Sequence, residues 1–379
     1  MAIGFAAGEL AEQAAKSALD QAGMSSAATA LVMASAACGP EMSRVSDVVC
    51  GVLGTNQVVG ASMSGLFSGG RLGEHIPAVG VLAFEGLDAE PFAITDVRGD
   101  EARIGAELLS QLNKAPGAHD LVLAFPDAQR LLVRPLIAGM REHLAPATLL
   151  GAGALGAPGH ASFQWRGRDV FSEGVAGLIL RLRHPVRMAI AHSFKPSEIR
   201  HEVTRCEGAW VLSLDGRPAL GVYREHAREP LAEDVRRAAA RLRVCRFPRR
   251  ADVQEAPCQS VMGFDERRSA FALPEFLDRG DQLSFVVHEA TAAREQLEST
   301  LDHLGADAPG LGMVFSAQGR GASLFGETDL EASLFERRHP GAALLGMQGA
   351  FAVGPNGAAS ALGAHDVLPA SAVIALLSG

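Results

Sequence analysis

Short apolar runs of strand length recur along the chain, and they recur in the same succession. The first members of this succession lie at residues 31–35, 121–125 and 311–316. A helix-like stretch follows each of them, and then comes a second, glycine-containing apolar run, at residues 58–65, 149–156 and 344–350. Further strands follow at 77–84, 174–182 and 370–377. This self-similarity predicts that one supersecondary unit is used repeatedly.

Helical periodicity completes the pattern of elements. Apolar spacing predicts helices over residues 8–21, 101–112, 127–144, 231–243 and 291–304, with Pro135 kinking the third. Two more strands are predicted at 210–214 and 282–287, and Asp215 and Gly216 form a hairpin turn after the first of them. The order predicts an α/β fold of layered mixed sheets, built from repeated strand-helix-strand-strand units in two pseudo-equivalent halves. A segment of different character, 187–220, suggests domains at 1–207 and 208–379.

Composition narrows the class of protein. The chain has 379 residues, of which 48% are hydrophobic and 20% charged, as expected for a globular protein with room for two domains. Its net charge of −9 argues against nucleic-acid binding, and the basic stretch 236–250 is interpreted as a solvated helix face. The N-terminus lacks a basic region before its apolar positions, and no apolar run approaches the ~18 residues of a membrane span. We therefore expect a cytoplasmic protein.

Cysteine and histidine spacing bears on metal and disulfide sites. Neither a disulfide framework nor a zinc cluster is predicted, because no Cys-x-x-Cys spacing occurs among Cys38, Cys50, Cys206, Cys245 and Cys258. A reducing compartment is the expectation. The 12 histidines form neither His-x-His nor His-Glu-x-x-His, so no metal site is predicted.

The most distinctive loop surrounds Arg320, which lies between Gly319 and Gly321 directly after a predicted strand. Flanking glycines let the backbone bend, and a guanidinium beside exposed amides suits a carboxylate or another anionic group. The alternative is a tight turn with an arginine that faces solvent. Because ligands bind where strands end, the loops after the repeated strands are expected to line a shared cavity.

Other polar residues in equivalent loops complete the predicted ligand-binding set. Ser316, Gln318 and Gln348 lie in the third unit, and Ser62 and Ser64 lie in a glycine-rich turn that lacks the spacing of a nucleophile elbow. His192, Glu173 and His365 occur near strand ends and are candidates for acid–base chemistry, with packing or surface roles as their alternative. The segment 151–156 matches a dinucleotide fingerprint, but Ala-Pro-Gly follows where a helix must begin. No cofactor cradle is predicted.

At these residues the chain resembles FIST domain proteins. Residues 310–335 and 339–355 are similar to the C-terminal FIST region, and the opening strands with the turn at 58–70 are similar to the N-terminal region. The resemblance implies a cytoplasmic sensory module for signal transduction that binds a small ligand; some relatives bind haem, and eukaryotic relatives bind proteins. The chain departs from the family at Ala317 or Gln318, where a cysteine is usual, and at 351–355, where a carboxylate is usual.

Three functional hypotheses follow. The leading one is a FIST-type ligand-binding protein with a pocket between the two halves, in which Arg320 anchors an anionic group. Its output would pass through a signalling or enzyme partner protein, and neither nucleic acid nor a membrane is an expected partner. The second is an enzyme acting on a small molecule in the same pocket, although no catalytic nucleophile is predicted. The third is a haem-binding or protein-interaction module.

Overall fold

A computed structural model describes most of the chain, in two compact units. The described residues are 2–3, 7–68, 71–193, 199–227, 233–239, 242–247, 258–259, 261–273, 276–287, 289–305, 309–355 and 365–378. The larger unit comprises Met1–Ala191, Gln296–Pro355 and Ala359–Gly379, and the smaller unit comprises His192–Glu295 and Asn356–Ala358. The sequence predicts a division of the chain into two FIST-like domains between residues 207 and 208. The two compact units do not test that division, which stays a prediction.

The first repeat of the larger unit begins at the N-terminus. Its elements are β1 (Ala2–Ile3), α1 (Ala7–Ala22), β2 (Thr29–Ser35), a 3-10 segment (Ala36–Arg44), α2 (Val45–Leu53), β3 (Val58–Met63), β4 (Gly65–Ser68), β5 (Arg71–Glu74) and β6 (Ala78–Phe84). Strand β2 pairs in parallel with β3 and antiparallel with β6. The connection through α2 is the crossover that a parallel pair requires.

The second repeat has the same order. Its elements are β7 (Ala89–Ile94), a 3-10 segment (Glu101–Arg103), α3 (Ile104–Gln111), β8 (Leu121–Pro126), α4 (Val133–Leu144), β9 (Thr148–Ala152), β10 (Gln164–Arg166), β11 (Asp169–Phe171) and β12 (Val175–Leu180). Strand β8 pairs in parallel with β9 and antiparallel with β12. The pairing therefore reproduces that of the first repeat.

The smaller unit interrupts the third repeat, which opens with β13 (Arg187–His192). The elements that follow are β14 (His201–Glu207), β15 (Trp210–Leu214), β16 (Arg217–Pro218), α5 (Ala219–Ala227), α6 (Val235–Ala239), β17 (Leu242–Phe247), β18 (Cys258–Gln259), β19 (Gly263–Asp265), β20 (Ala270–Ala272) and β21 (Gln282–Val287). These strands form one antiparallel sheet, and Val203, Tyr223 and Phe271 lie in the core beneath it.

The third repeat resumes after the smaller unit. Its elements are α7 (Ala290–Leu304), β22 (Leu311–Ala317), α8 (Ala322–Phe325), α9 (Leu330–Arg338), β23 (Ala343–Gly349), β24 (Ala352–Pro355), β25 (His365–Leu368) and β26 (Ser371–Leu377). Strand β22 pairs in parallel with β23 and antiparallel with β26. The larger unit thus uses one pairing pattern three times, and an arrangement in two pseudo-equivalent halves is not confirmed.

Each repeat also places a hairpin in the sheet of another repeat. Hairpin β4–β5 pairs with β23, hairpin β10–β11 pairs with β3, and hairpin β24–β25 pairs with β9. Every sheet of the larger unit therefore contains strands from two repeats. This exchange ties the three repeats into one folding unit.

The three sheets share a core through their inner faces. Met33, Phe125 and Phe315 belong to the same buried cluster, one from each repeat. The alternate residues of the same strands face outward, where helices cover them: Val32, for example, packs in a cluster with residues of α1 and α2. Both faces of these strands are buried, which explains why they are almost wholly apolar.

The α/β class and the mixed sheets are confirmed, while some predicted boundaries were wrong. Helix α4 begins at Val133 instead of 127, because the buried Asp127 carboxylate accepts hydrogen bonds from the backbone N–H groups of Gln129 and Glu173. Pro135 then lies in the first helical turn, where proline is tolerated, so the expected kink does not arise.

Two further expectations for the smaller unit also need correction. Within the predicted helix 231–243, Leu242 and Arg243 belong to β17 because they pair with β21, and the helix described there is only Val235–Ala239. Cys245 and Cys258 lie opposite each other on β17 and β18 and form a disulfide, which the cysteine spacing did not predict. In the described ranges, no helix combines the length and apolar character needed to cross a membrane.

Candidate functional site

The C-terminal ends of the second strand of each repeat, β3, β9 and β23, meet in the larger unit together with the residues that follow them. The Ser62 hydroxyl donates to the carbonyl oxygen of Leu155 over 2.7 Å, and the Ser64 hydroxyl donates to the carbonyl oxygen of Gln348 over 2.7 Å. The second and third repeats also approach closely, because a Cβ added at Gly349 would lie 2.6 Å from the carbonyl oxygen of Gly153. Ser62, Ser64 and Gln348 are therefore brought into one junction, which is tightly packed.

Arg320 lies in the loop after β22, between two glycines that the geometry requires. Gly319 has a φ of 93°, in the left-handed region that favours glycine, and a Cβ on Gly321 would lie 2.3 Å from Oε2 of Glu74. The Arg320 side chain is fully buried, with its Nε donating to Oε1 of Glu331 over 2.6 Å. The alternative of an arginine that faces solvent is thereby excluded.

Two carboxylates border this loop. Glu331, on α9, neutralises the Arg320 guanidinium, and the carbonyl oxygen of Ala370 accepts a hydrogen bond from Nη1 of Arg320 over 3.4 Å. Glu74, on β5, accepts a hydrogen bond from the backbone N–H of Ala322 on the other side. An anionic ligand group at Arg320 would therefore compete with the Glu331 carboxylate for the guanidinium.

Ser316 and Gln348 lie side by side at the ends of β22 and β23, where they are partners in the parallel register. Both are buried, and the Ser316 hydroxyl has no hydrogen-bond partner among the residues that the structure describes. Gln318 is exposed and donates its backbone N–H to the carbonyl oxygen of Gly349 over 2.6 Å. The end of β22 thus combines an accessible loop with an unsatisfied buried hydroxyl beneath it.

The remaining predicted site residues have other placements. Glu173 has a φ of 59° and its carboxylate pairs with Nη1 of Arg130 at 2.5 Å. His192 ends β13, an edge strand next to β26. His365 begins β25 opposite Pro355, and its side chain lies outside the described part of the structure. The role of each predicted residue in ligand binding stays a prediction.

Glu331 and Glu74 are the residues that the sequence analysis missed. Glu331 follows Arg320 by 11 residues, so a search for acidic residues on the nearby helix α9 could have found it. Glu74 reaches the loop because hairpin β4–β5 is exchanged between repeats, and local sequence carries no signal for that. In the described ranges, no group of three His, Cys, Asp or Glu side chains converges to hold a metal ion.

Comparison with known proteins places the chain in a family. It is 28% identical over 310 residues, 79% of each chain, to the uncharacterized protein Rv0628c of Mycobacterium tuberculosis. It is 26% identical over 364 residues, 93% of this chain and 92% of the relative, to the uncharacterized protein Mb0898c of Mycobacterium bovis. The family model for the FIST N domain matches residues 28–217, which contain most of the first two repeats and the start of the smaller unit. Because this match spans half of the sequence, the chain belongs to the FIST family.

Proposed function

We propose that this protein is a sensory protein that binds a small polar ligand at the ends of β22 and β23. The FIST N domain is generally a sensory domain in signal transduction, which supports the coarse function. The observation that carries the site is the Ser316 hydroxyl, fully buried and without a hydrogen-bond partner in the described structure. A buried polar group left unpaired costs about 1–3 kcal/mol, so a ligand that pairs with it gains binding energy.

The position of Ser316 in the fold supports the same site. Ligands of α/β proteins bind beyond the carboxyl ends of parallel strands, and Ser316 and Gln348 end the parallel pair β22 and β23. Backbone N–H groups of the Gly319–Gly321 loop lie directly after this end. Ser64 reaches Gln348 from the first repeat, so ligand binding there can be transmitted between repeats.

Charge limits what this site binds. Arg320 is already balanced by Glu331, and a second carboxylate, Glu74, lies at the other end of the loop. A ligand that brings a carboxylate to Arg320 would therefore compete with Glu331, whereas a hydroxyl or amide group can pair with Ser316 without disturbing the ion pair. We propose Ser316 and Gln348 as the primary contacts and Arg320 as the anchor of any acidic group.

Native mass spectrometry and calorimetry test this proposal. The purified protein is examined for a co-purified small molecule and then titrated with a library of small polar metabolites. Ser316→Ala removes only the hydroxyl oxygen, so we expect it to fold normally and to bind about tenfold more weakly. Ser110→Ala, an exposed serine on α3, is the matched control. Absence of any bound or binding molecule, or equal affinity of Ser316→Ala and the unmodified protein, would contradict the proposal.

A further inference from the structure

A groove lies in the larger unit beside the turn of hairpin β10–β11, away from the proposed ligand site. It is a groove of about 600 Å³ bordered by the loop before β3, the start of β7 and the end of α3. A second groove of about 470 Å³ shares Gln57, Glu90 and Arg166 with it. None of the residues assigned to the proposed ligand site lines either groove, so the two sites are separate.

Arg166 gives this groove its chemistry. Its Nε donates to the carbonyl oxygen of Pro91 over 3.2 Å, its Nη1 to the carbonyl oxygen of Asn56 over 3.1 Å, and its Nη2 to Oε1 of Gln57 over 2.9 Å. All three acceptors are neutral. A guanidinium has five N–H groups, so two remain without an acceptor in the described part of the chain.

The charge of Arg166 is not compensated by the protein. Among the described residues, no carboxylate oxygen lies within ion-pair distance of 4.0 Å of its guanidinium. Burial lowers the pKa of Arg166 below its ordinary value, with a smaller opposing effect from Cys50. A partly desolvated cation that is held only by neutral oxygens attracts an anion from solution.

The other charges around the groove are already paired or exposed. Arg181 is held between Glu90 at 3.0 Å and Asp120 at 2.7 Å, and Arg168 pairs with Asp47. Asp88 and Asp169 are exposed on the rim, as is Lys114. Among the described residues on the inner wall of the groove, Arg166 is therefore the positive charge that has no carboxylate partner.

The neutral lining determines the rest of the ligand. Asn56, Gln57, Gln111 and Asn113 place amide groups along the two grooves. Amide oxygens accept and amide N–H groups donate hydrogen bonds, a combination that matches hydroxyl groups. The walls of the two grooves are therefore more polar than the mainly apolar walls of a pocket that binds an apolar metabolite.

We propose that this groove is a second ligand site, which takes a small hydroxylated molecule carrying one phosphate or carboxylate group. The anionic group binds the two open N–H groups of Arg166 in the bidentate manner that guanidinium allows, and the hydroxyls bind the amide side chains. Lys114 contributes a second, exposed positive charge at the rim. Sugar phosphates and sugar acids share this chemistry.

Calorimetry on the full-length protein tests the proposal with four probes. Glucose 6-phosphate and gluconate carry the two anionic groups on a hydroxylated body, inorganic phosphate is the anion alone, and glucose is the neutral body. We expect saturable binding of at least one of the first two, with glucose at least tenfold weaker. The probe that binds identifies the anionic group. Binding of neither glucose 6-phosphate nor gluconate at millimolar concentration overturns the proposal, and so does binding of glucose with equal affinity.

Three variants assign the binding to the groove. Arg166→Gln should weaken binding of the active probe at least tenfold, and Lys114→Ala, an exposed substitution that should not affect folding, should weaken it severalfold. Arg337→Gln is the matched control, because this exposed arginine lies on α9 in the third repeat and lines neither groove. Unchanged binding in folded Arg166→Gln overturns the proposal. If Arg166→Gln does not fold, unchanged binding by Lys114→Ala overturns it instead.

Discussion

Arg320 and Glu331 form an ion pair inside the larger unit, with 2.6 Å between Nε of the arginine and Oε1 of the glutamate. The arginine is fully buried, and the glutamate side chain is 10% exposed. A buried pair of this kind holds each partner in place because either charge alone would be left in a poorly solvated position. The loop around Arg320, which the sequence analysis identified from its glycines, is therefore held in place by the buried carboxylate of Glu331.

Removing Arg320 should destabilise the larger unit strongly. Arg320→Met keeps most of the side-chain volume but leaves the Glu331 carboxylate buried without its partner, which typically costs about 3–5 kcal/mol. The double substitution Arg320→Met with Glu331→Leu removes both charges, and we expect it to recover most of that loss. Urea unfolding followed by Trp165 fluorescence measures this, in a Trp210→Phe background so that only the larger unit is reported.

An exposed ion pair serves as the comparison. Arg338 and Asp302 pair at the surface with side chains 45% and 50% exposed, so Arg338→Met should cost at most about 1 kcal/mol. Similar losses for Arg320→Met and Arg338→Met would show that the buried pair contributes no more than a surface one. A double variant as unstable as Arg320→Met would show that the loss comes from packing.

His339 should make the larger unit sensitive to acid. It is 2% exposed, and both of its ring nitrogens lack a hydrogen-bond partner in the described structure. Burial, together with the charges of Arg187 and Arg338, lowers the pKa of His339 below its ordinary value. Above about pH 6.5 both folded and unfolded chains keep this ring neutral. As the pH falls below that value, the unfolded chain gains a proton that the fold resists, so the free energy of unfolding decreases.

Replacing this ring tests the argument. His339→Leu removes two unsatisfied nitrogens, and we expect it to raise the free energy of unfolding by about 1 kcal/mol at pH 7. The gain should increase toward pH 5, because the variant has no ring to protonate. Urea unfolding at several pH values between 5 and 8 measures both effects, with the exposed His184→Leu as control. If the gain in the free energy of unfolding did not depend on pH, protonation of His339 would not be the cause of the acid sensitivity.

The strands of the three repeats were predictable because their physical requirement is local. Strand β2 was predicted to within two residues, since a strand buried on both faces must be apolar throughout. The exchange of hairpins was not predictable, because the pairing of β4 with β23 depends on contacts between residues about 280 positions apart. Arg320 could be recognised from its flanking glycines and Glu331 from its place 11 residues further on, whereas Glu74 reaches Gly321 only through the exchanged hairpin β4–β5.

Replacing glycine by alanine should change the stability of the larger unit in opposite directions at Gly349 and at Gly51. Gly349→Ala would place a Cβ 2.6 Å from the carbonyl oxygen of Gly153, and we expect a loss of about 1–3 kcal/mol because backbone must shift. Gly51 lies within α2, and a Cβ added there would meet no atom within 4 Å, so Gly51→Ala should stabilise by about 0.5–1 kcal/mol. Urea unfolding followed by Trp165 fluorescence compares the two. A stable Gly349→Ala variant would contradict the close approach of the second and third repeats.

In the smaller unit, Asp215 links the β15–β16 turn to two histidines. Its Oδ2 lies 2.6 Å from Nδ1 of His201, whose Nε2 lies 2.8 Å from Nε2 of His226, and its Oδ1 accepts the backbone N–H of Glu202. Burial raises the pKa of Asp215, but the hydrogen bonds from His201 and Glu202 outweigh it and hold the pKa below the ordinary value of 3.8. The ionised carboxylate therefore stabilises the fold above about pH 3.8, and this contribution is lost as the pH falls through the lower, folded pKa.

Asp215→Asn isolates that charge. Asparagine tolerates the left-handed backbone at this position, where φ is 50°, and its amide oxygen can still accept from Glu202. We expect faster amide hydrogen exchange in residues 201–214 at pH 7, and a smaller difference from the unmodified protein at pH 3, after correction for intrinsic rates. Asp265→Asn is the control, since Asp265 accepts a backbone hydrogen bond from Arg268 in a comparable turn. An equal difference at both pH values would mean that the shape of Asp215, and not its ionised form, supports the turn.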